Sequence, residues 1–144
     1  MDQLHASGVE IDGAGLLIRG APGSGKSDLA LRLIDGGAKL IADDRVDLNL
    51  AGGKILLSAP GPIEGLLEIR GLGILRLPTA QNVPLALLVD LVDEAEVERL
   101  PEIHTKRLIN MDIPWIGLAP FQSSAPAKLR HALALVNGRL ERTE

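Results

Sequence analysis

Apolar positions along the chain change period several times, and each change predicts an element. Val9–Ile11 and Gly15–Ile18 are short aliphatic runs around Asp12-Gly13, a pair suited to a tight turn, so they read as a hairpin. From Lys26 to Ile34 the spacing lengthens: Leu29, Ala30, Leu33 and Ile34 share one side of a helix, and Gly36-Gly37 stops it. Lys39–Ala42 returns to a strand pattern that ends in Asp43-Asp44. Val46–Leu50 and Lys54–Leu57 flank Ala51-Gly52-Gly53 as a second hairpin. Leu66–Leu77 is an apolar run broken by Arg70-Gly71-Leu72-Gly73, and Leu85–Val92 reads as a strand buried on both faces. Pro101, Pro114 and Pro120 interrupt the next stretch, which predicts turns around one short strand at Ile113–Leu118. A helix over Ala127–Val136, stopped by Asn137-Gly138, closes the pattern.

Hairpins combined with strand-to-helix units predict an α/β domain with a mixed, partly antiparallel sheet and few helices. With no linker, repeat or low-complexity tract, the 144 residues read as a single domain, 1–144. The 46% hydrophobic and 24% charged residues are enough for an aliphatic core. The absence of cysteine excludes disulfides, thiolate zinc sites and a cysteine nucleophile. Trp115 and Phe121 are the only aromatic rings and the formal charge is −4, which argues against a nucleic-acid polymer or an anionic membrane as partner. Met1–Ser7 carries no basic, apolar leader, and the apolar run Pro84–Val92 is short and contains Asp90, so a cytoplasmic protein is expected.

Gly20-Ala21-Pro22-Gly23-Ser24-Gly25-Lys26-Ser27 matches the phosphate-loop pattern G-x-x-x-x-G-K-[ST] in full, after a predicted strand and at the head of a predicted helix. Glycines let the backbone wrap a phosphate chain so that successive N–H groups face the anion. Lys26 then reaches the terminal phosphates, and the Ser27 hydroxyl binds magnesium. The bland alternative is a glycine-rich turn capping a helix, and the loop alone does not identify the reaction.

Such a site also needs carboxylates to hold metal and to accept a proton. Asp43-Asp44 would supply them if the Lys39–Ala42 strand lies beside the strand that feeds the loop. Because side chains alternate, only one of the two is expected to aim at the phosphates; a solvated acidic turn is the competing reading. Glu68 and Arg70 fall on one strand face, either as a surface ion pair or as a magnesium carboxylate beside a phosphate-binding arginine. His131 and His104 read as surface residues, and His5 is distinguished only by lying upstream of the loop.

In order, His5, the hairpin, the loop Gly20–Ser27, the run Leu40-Ile41-Ala42-Asp43-Asp44-Arg45-Val46 and the run Glu68-Ile69-Arg70-Gly71-Leu72-Gly73-Ile74 resemble the catalytic domain of bacterial HPr kinase/phosphorylase. The resemblance is strong over His5–Ile74 and weak beyond. It implies a P-loop kinase domain that uses ATP and Mg2+ to phosphorylate a serine of an HPr-like phosphocarrier protein of a phosphotransferase system, in a homo-oligomer, hexameric in the family. Carried over by position, Lys26 holds the transferred phosphate, Ser27 and Glu68 hold magnesium, and Asp44 accepts the proton. His5, 21 residues before the lysine, is the active-site histidine, and Arg107 in Lys106-Arg107-Leu108 is a catalytic arginine. The chain resembles the short alphaproteobacterial form, without the additional N-terminal domain of longer members. Leu118-Ala119-Pro120-Phe121-Gln122-Ser123-Ser124-Ala125 replaces the family segment rich in Pro, Arg, Gly and Asn that is tied to phosphate removal, so phosphorylase activity is expected to be weak or absent. A nucleotide-sensing regulatory module and a small-metabolite kinase or NTPase stand as the alternatives.

Overall fold

The structure is a computed structural model that describes residues 2–102 and 104–143. In chain order its elements are β1 (Asp2–His5), β2 (Ser7–Ile11), β3 (Ala14–Arg19), α1 (Lys26–Asp35), β4 (Lys39–Ala42), β5 (Arg45–Ala51), β6 (Lys54–Ser58), β7 (Leu66–Ile69), β8 (Gly73–Arg76), β9 (Val83–Leu91), β10 (His104–Leu108), β11 (Met111–Leu118) and α2 (Ala125–Val136). β7 and β8 form a separate two-stranded sheet; the other strands make one curled mixed sheet, in the order β1-β5-β6-β9-β3-β2-β4 with β11 and then β10 joined at β9.

β3 runs parallel to β9, from Gly15↔Leu85 to Arg19↔Asp90, and β11 runs parallel to β9, from Trp115↔Leu88 to Leu118↔Leu91. Three strand C-termini therefore finish level with one another, at the edge where the 20–27 loop begins. The start of β9 borders β6 instead, through Leu57↔Val83, so one long strand joins both halves of the sheet.

Alternation along these strands explains why they are apolar at nearly every position. Leu16 and Ile18 on β3 and Leu87 and Val89 on β9 face Leu29 and Leu33 of α1 and Leu129 and Leu133 of α2. Leu17 and Leu88, one residue out of phase, face the opposite core with Ile41, Val46, Leu57 and Ile113. Fully burying each such side chain contributes about 1.5–3 kcal/mol, so the strands that lead to the site are firmly held.

Three features depart from the sequence reading. First, β1 carries the polar residues Asp2, Gln3 and His5, which give no burial signal, yet it pairs with β5 as an edge strand from Asp2↔Leu48 to His5↔Arg45. Second, the stretch expected to hold turns and one short strand is a hairpin of β10 and a longer β11, turned by Ile109 and Asn110 at φ 46 and 60 without a glycine to announce it. Pro114 is tolerated because β9 pairs with β11 only from Trp115 onward. Third, β4 is not the neighbour of β3, because β2 lies between them, antiparallel to both. Two antiparallel steps restore direction, so β4 still ends at the same edge as β3. Among the described residues no helix is long and apolar enough to cross a membrane.

Candidate active site

The loop 20–27 leaves β3 and enters α1 at Gly25, whose φ of 101 starts the helix from a left-handed residue. A Cβ there would stand 2.9 Å from Phe121 Cε1, so both backbone and space require glycine. The Lys26 ammonium donates to the carbonyls of Gly20 (2.7 Å) and Ala21 (3.1 Å), which folds the side chain along its own loop. Ser24 Oγ is buried without a hydrogen-bond partner. Unpaired buried hydroxyls are uncommon, so this one marks a place for a ligand or water oxygen.

The end of β4 supplies both acids, in different directions. Asp43 accepts from the Ser27 hydroxyl on both carboxylate oxygens, at 2.8 and 3.0 Å, and from the buried Ser7 hydroxyl at 2.7 Å. Asp44, at φ 71, turns outward and stands 3.8 Å from His5 Nδ1, both side chains being exposed. Only Asp43 reaches the loop hydroxyl; both acids lie past the end of β4, so the left-handed backbone of Asp44, not strand alternation, sends the two side chains apart. Asp44 instead joins Lys26, Ser27, Glu68 and Arg70 in lining a cleft of about 740 Å³.

Glu68 reaches that cleft because β7 lies against α1. β7 ends at Ile69, so Arg70 stands in the turn beyond it rather than on the same strand face as Glu68. The two form no ion pair with each other, and both point into the cleft instead.

Arg107 is not brought to this site. It pairs with Asp112 at 3.2 Å on an exposed part of the β10–β11 hairpin. Asp112 lies five residues before Gly117, which is level with Asp90, roughly 17 Å back along the strand. His104 is in β10, not a turn, with its ring edge-on to Trp115, and His131 is exposed, its Nδ1 2.8 Å from the Ala127 carbonyl.

Sequence reasoning missed two supports. Ser7, the first residue of β2, carries no pattern that would reveal its contact with Asp43. Arg19, immediately before Gly20, donates twice to Asp90, both at 2.8 Å. Trp115 Nε1 donates to the same carboxylate at 2.8 Å. Lys106 Nζ lies 3.6 Å from it and 4.2 Å from the Trp115 ring centre. Burial alone would raise the Asp90 pKa; the hydrogen bonds from Arg19 and Trp115 and the charges of Arg19 and Lys106 outweigh it and hold the carboxyl below its ordinary value. Arg19 and Asp90 are 71 residues apart and belong to no shared motif, so they could be matched as direct partners on β3 and β9 only once the register was known.

The donor set suits a metal that arrives with phosphates. Among the described residues no three of His, Asp or Glu converge on a point. A hydroxyl–carboxylate pair, Ser27 with Asp43, beside a loop of backbone N–H groups fits a magnesium ion that keeps water and phosphate oxygens as its other ligands.

The HPr Serine kinase C-terminal domain family matches residues 1–129 of the chain. Among similar proteins, the HPr kinase/phosphorylase of Exiguobacterium sibiricum is 33% identical over 150 residues, covering 96% of this chain and 48% of that protein. The HPr kinase/phosphorylase of Clostridium tetani is 47% identical over 77 residues, covering 54% of this chain and 25% of that protein. The chain thus spans about half the length or less of such relatives. Among solved structures, the HPr(Ser) kinase/phosphatase of Coxiella burnetii superposes with a TM-score of 0.80 at 27% identity, covering 96% of this chain and 91% of that one.

Proposed function

The chain belongs to the HPr Serine kinase C-terminal domain family, and from that premise we propose that it is an ATP-dependent serine kinase acting on an HPr-like phosphocarrier protein of a phosphotransferase system. The observation that carries this reading is the meeting, in one cleft, of Lys26, Ser27 and the exposed Asp44, with Asp43 hydrogen-bonded to Ser27 and His5 beside Asp44 just outside it. Phosphoryl transfer needs positioning, charge neutralisation and a proton acceptor, and these residues supply one of each.

Lys26 has a flexible stem and one positive charge, and exchanges its two loop carbonyls for terminal phosphate oxygens. Magnesium, when bound, neutralises the phosphate charge that builds up during transfer. Ser27, with Asp43 bonded to it, and Glu68, which lines the same cleft, would hold it. Asp44, exposed and free to meet an incoming hydroxyl, takes the serine proton, and His5 at 3.8 Å steadies the carboxylate. Arg70 offers its guanidinium to the anion from the β7–β8 side. The forward reaction dominates, because the segment 118–125 brings no Arg or Lys to screen a second phosphate. Arg32, which binds the backbone of that segment, is already engaged by Asp28 at 3.0 Å and by the Pro120 and Gln122 carbonyls.

Incubating the protein with labelled ATP, magnesium and a panel of phosphocarrier proteins tests the proposal. Label should appear on a serine of a carrier. Magnesium-dependent nucleotide binding without transfer to any carrier would make the chain a sensor instead.

A further inference from the structure

A second cavity, of about 540 Å³, is lined by Ala21 and Ser24 of the phosphate loop and meets the first cleft at Phe121, which lines both. We propose that it takes the nucleoside portion of the nucleotide, with Phe121 as the platform on which the base stacks. The inference rests on the kinase reading above and adds to it the place and the means of base recognition.

Phe121 is the only phenylalanine of the chain, and it is 73% exposed. Hydrophobic rings left in water ordinarily move or are covered, but the backbone that carries this one is tethered. Its backbone neighbours on both sides are clamped by Arg32 of α1, which donates to the Pro120 carbonyl and, at 3.2 Å, to the Gln122 carbonyl. One edge of the ring rests against Gly25, where even a Cβ would crowd it. An aromatic ring on a tethered backbone, with an open face beside a phosphate loop, suits the stacking of a planar base.

The walls and rim specify which part of the nucleotide enters. Leu91, Val92, Ala119 and Pro120 give an apolar lining, and Asp93 and Glu94 stand at the rim. Carboxylates repel phosphates but accept from the N–H and O–H groups of a base and ribose, so the neutral nucleoside faces this cavity and the triphosphate faces Lys26. The volume lies within the roughly 300–1,000 Å³ usual for small-molecule sites. Val92 N–H donates to the Leu118 carbonyl at 3.0 Å, which ties the loops after β9 and β11 into one wall.

Calorimetric titration of the whole chain with Mg-ATP and with Mg-tripolyphosphate, which lacks the nucleoside, tests the inference. Phe121→Ala should weaken ATP binding roughly tenfold, leave tripolyphosphate binding unchanged, and be rescued by Phe121→Trp. Equal weakening of both ligands would make Phe121 a mere support for the loop, and no weakening, or no rescue by Trp, would remove it from base recognition; each overturns the inference and leaves the phosphate site standing. A wild-type protein that binds neither ligand overturns the kinase reading and this inference together.

Discussion

Ser7 reaches Asp43 from inside the sheet, its hydroxyl donating to the carboxylate at 2.7 Å from a side chain with no exposure to solvent. Asp43 Oδ1 accepts from both Ser7 and Ser27, so the carboxylate meets Ser27 with its orientation already set. Ser7→Ala should raise the magnesium concentration needed for half-maximal activity and cost about 0.5–1.5 kcal/mol of stability. Ser7→Thr, which keeps the hydroxyl, should restore the metal response wherever the extra methyl is accommodated. A magnesium titration unchanged in Ser7→Ala would show that Asp43 needs no such support.

Lys26 lines the cleft and not a core, so Lys26→Ala should abolish phosphotransfer while leaving circular dichroism and the melting temperature near those of the wild type. The measurement is transfer of label to the carrier. Near-normal turnover by the folded variant would remove the lysine from the chemistry.

Asp44 and Glu68 line the same cleft but should fail differently. Asp44→Asn removes the proton acceptor and should lower kcat by roughly 10²–10⁴ with nucleotide binding largely kept. Glu68→Gln should instead shift the magnesium dependence, weakening metal-supported binding and activity together. Identical kinetic profiles would refute this division of roles.

The Asp90 carboxyl lies below its ordinary value of 3.8. A depressed folded pKa adds stability that is fully present above the unfolded value and is lost as pH falls through the folded one. Asp90→Asn should therefore destabilise the protein by about 1.5–3 kcal/mol near neutral pH, and the gap between variant and wild type should close below pH 3.8. Denaturant unfolding across that range measures it, with the fluorescence of Trp115, the sole tryptophan, as the probe.

Phosphate-driven dephosphorylation of the carrier should be slow or absent, because the segment 118–125 brings no Arg or Lys to screen a second anion and Arg32, which binds that segment's backbone, is already engaged. Release of pyrophosphate in millimolar phosphate, at a rate comparable to the forward reaction, would require cationic groups from elsewhere.

The sequence by itself determined what local chemistry can encode. The loop 20–27 between a strand and a helix, the Asp12-Gly13 turn and the double-sided burial of Leu85–Val92 all follow from neighbouring residues, and the structure has each of them. The match of His5, the loop, Asp43-Asp44 and Glu68 to one family was legible for the same reason, since those motifs are short and ordered along the chain. What only tertiary structure decided depends on pairing across long separations. β2 between β3 and β4, the polar edge strand that carries His5 and the glycine-free hairpin turn at Ile109-Asn110 leave no local signature. The same holds for the split of Asp43 toward Ser27 and Asp44 toward His5, set by one left-handed residue. Ser7, Arg19 with Asp90, and Arg32 beneath Phe121 act through partners 36, 71 and about 90 residues away. Contacts of that range are fixed by register and sheet order, which residues acquire only when the chain has folded.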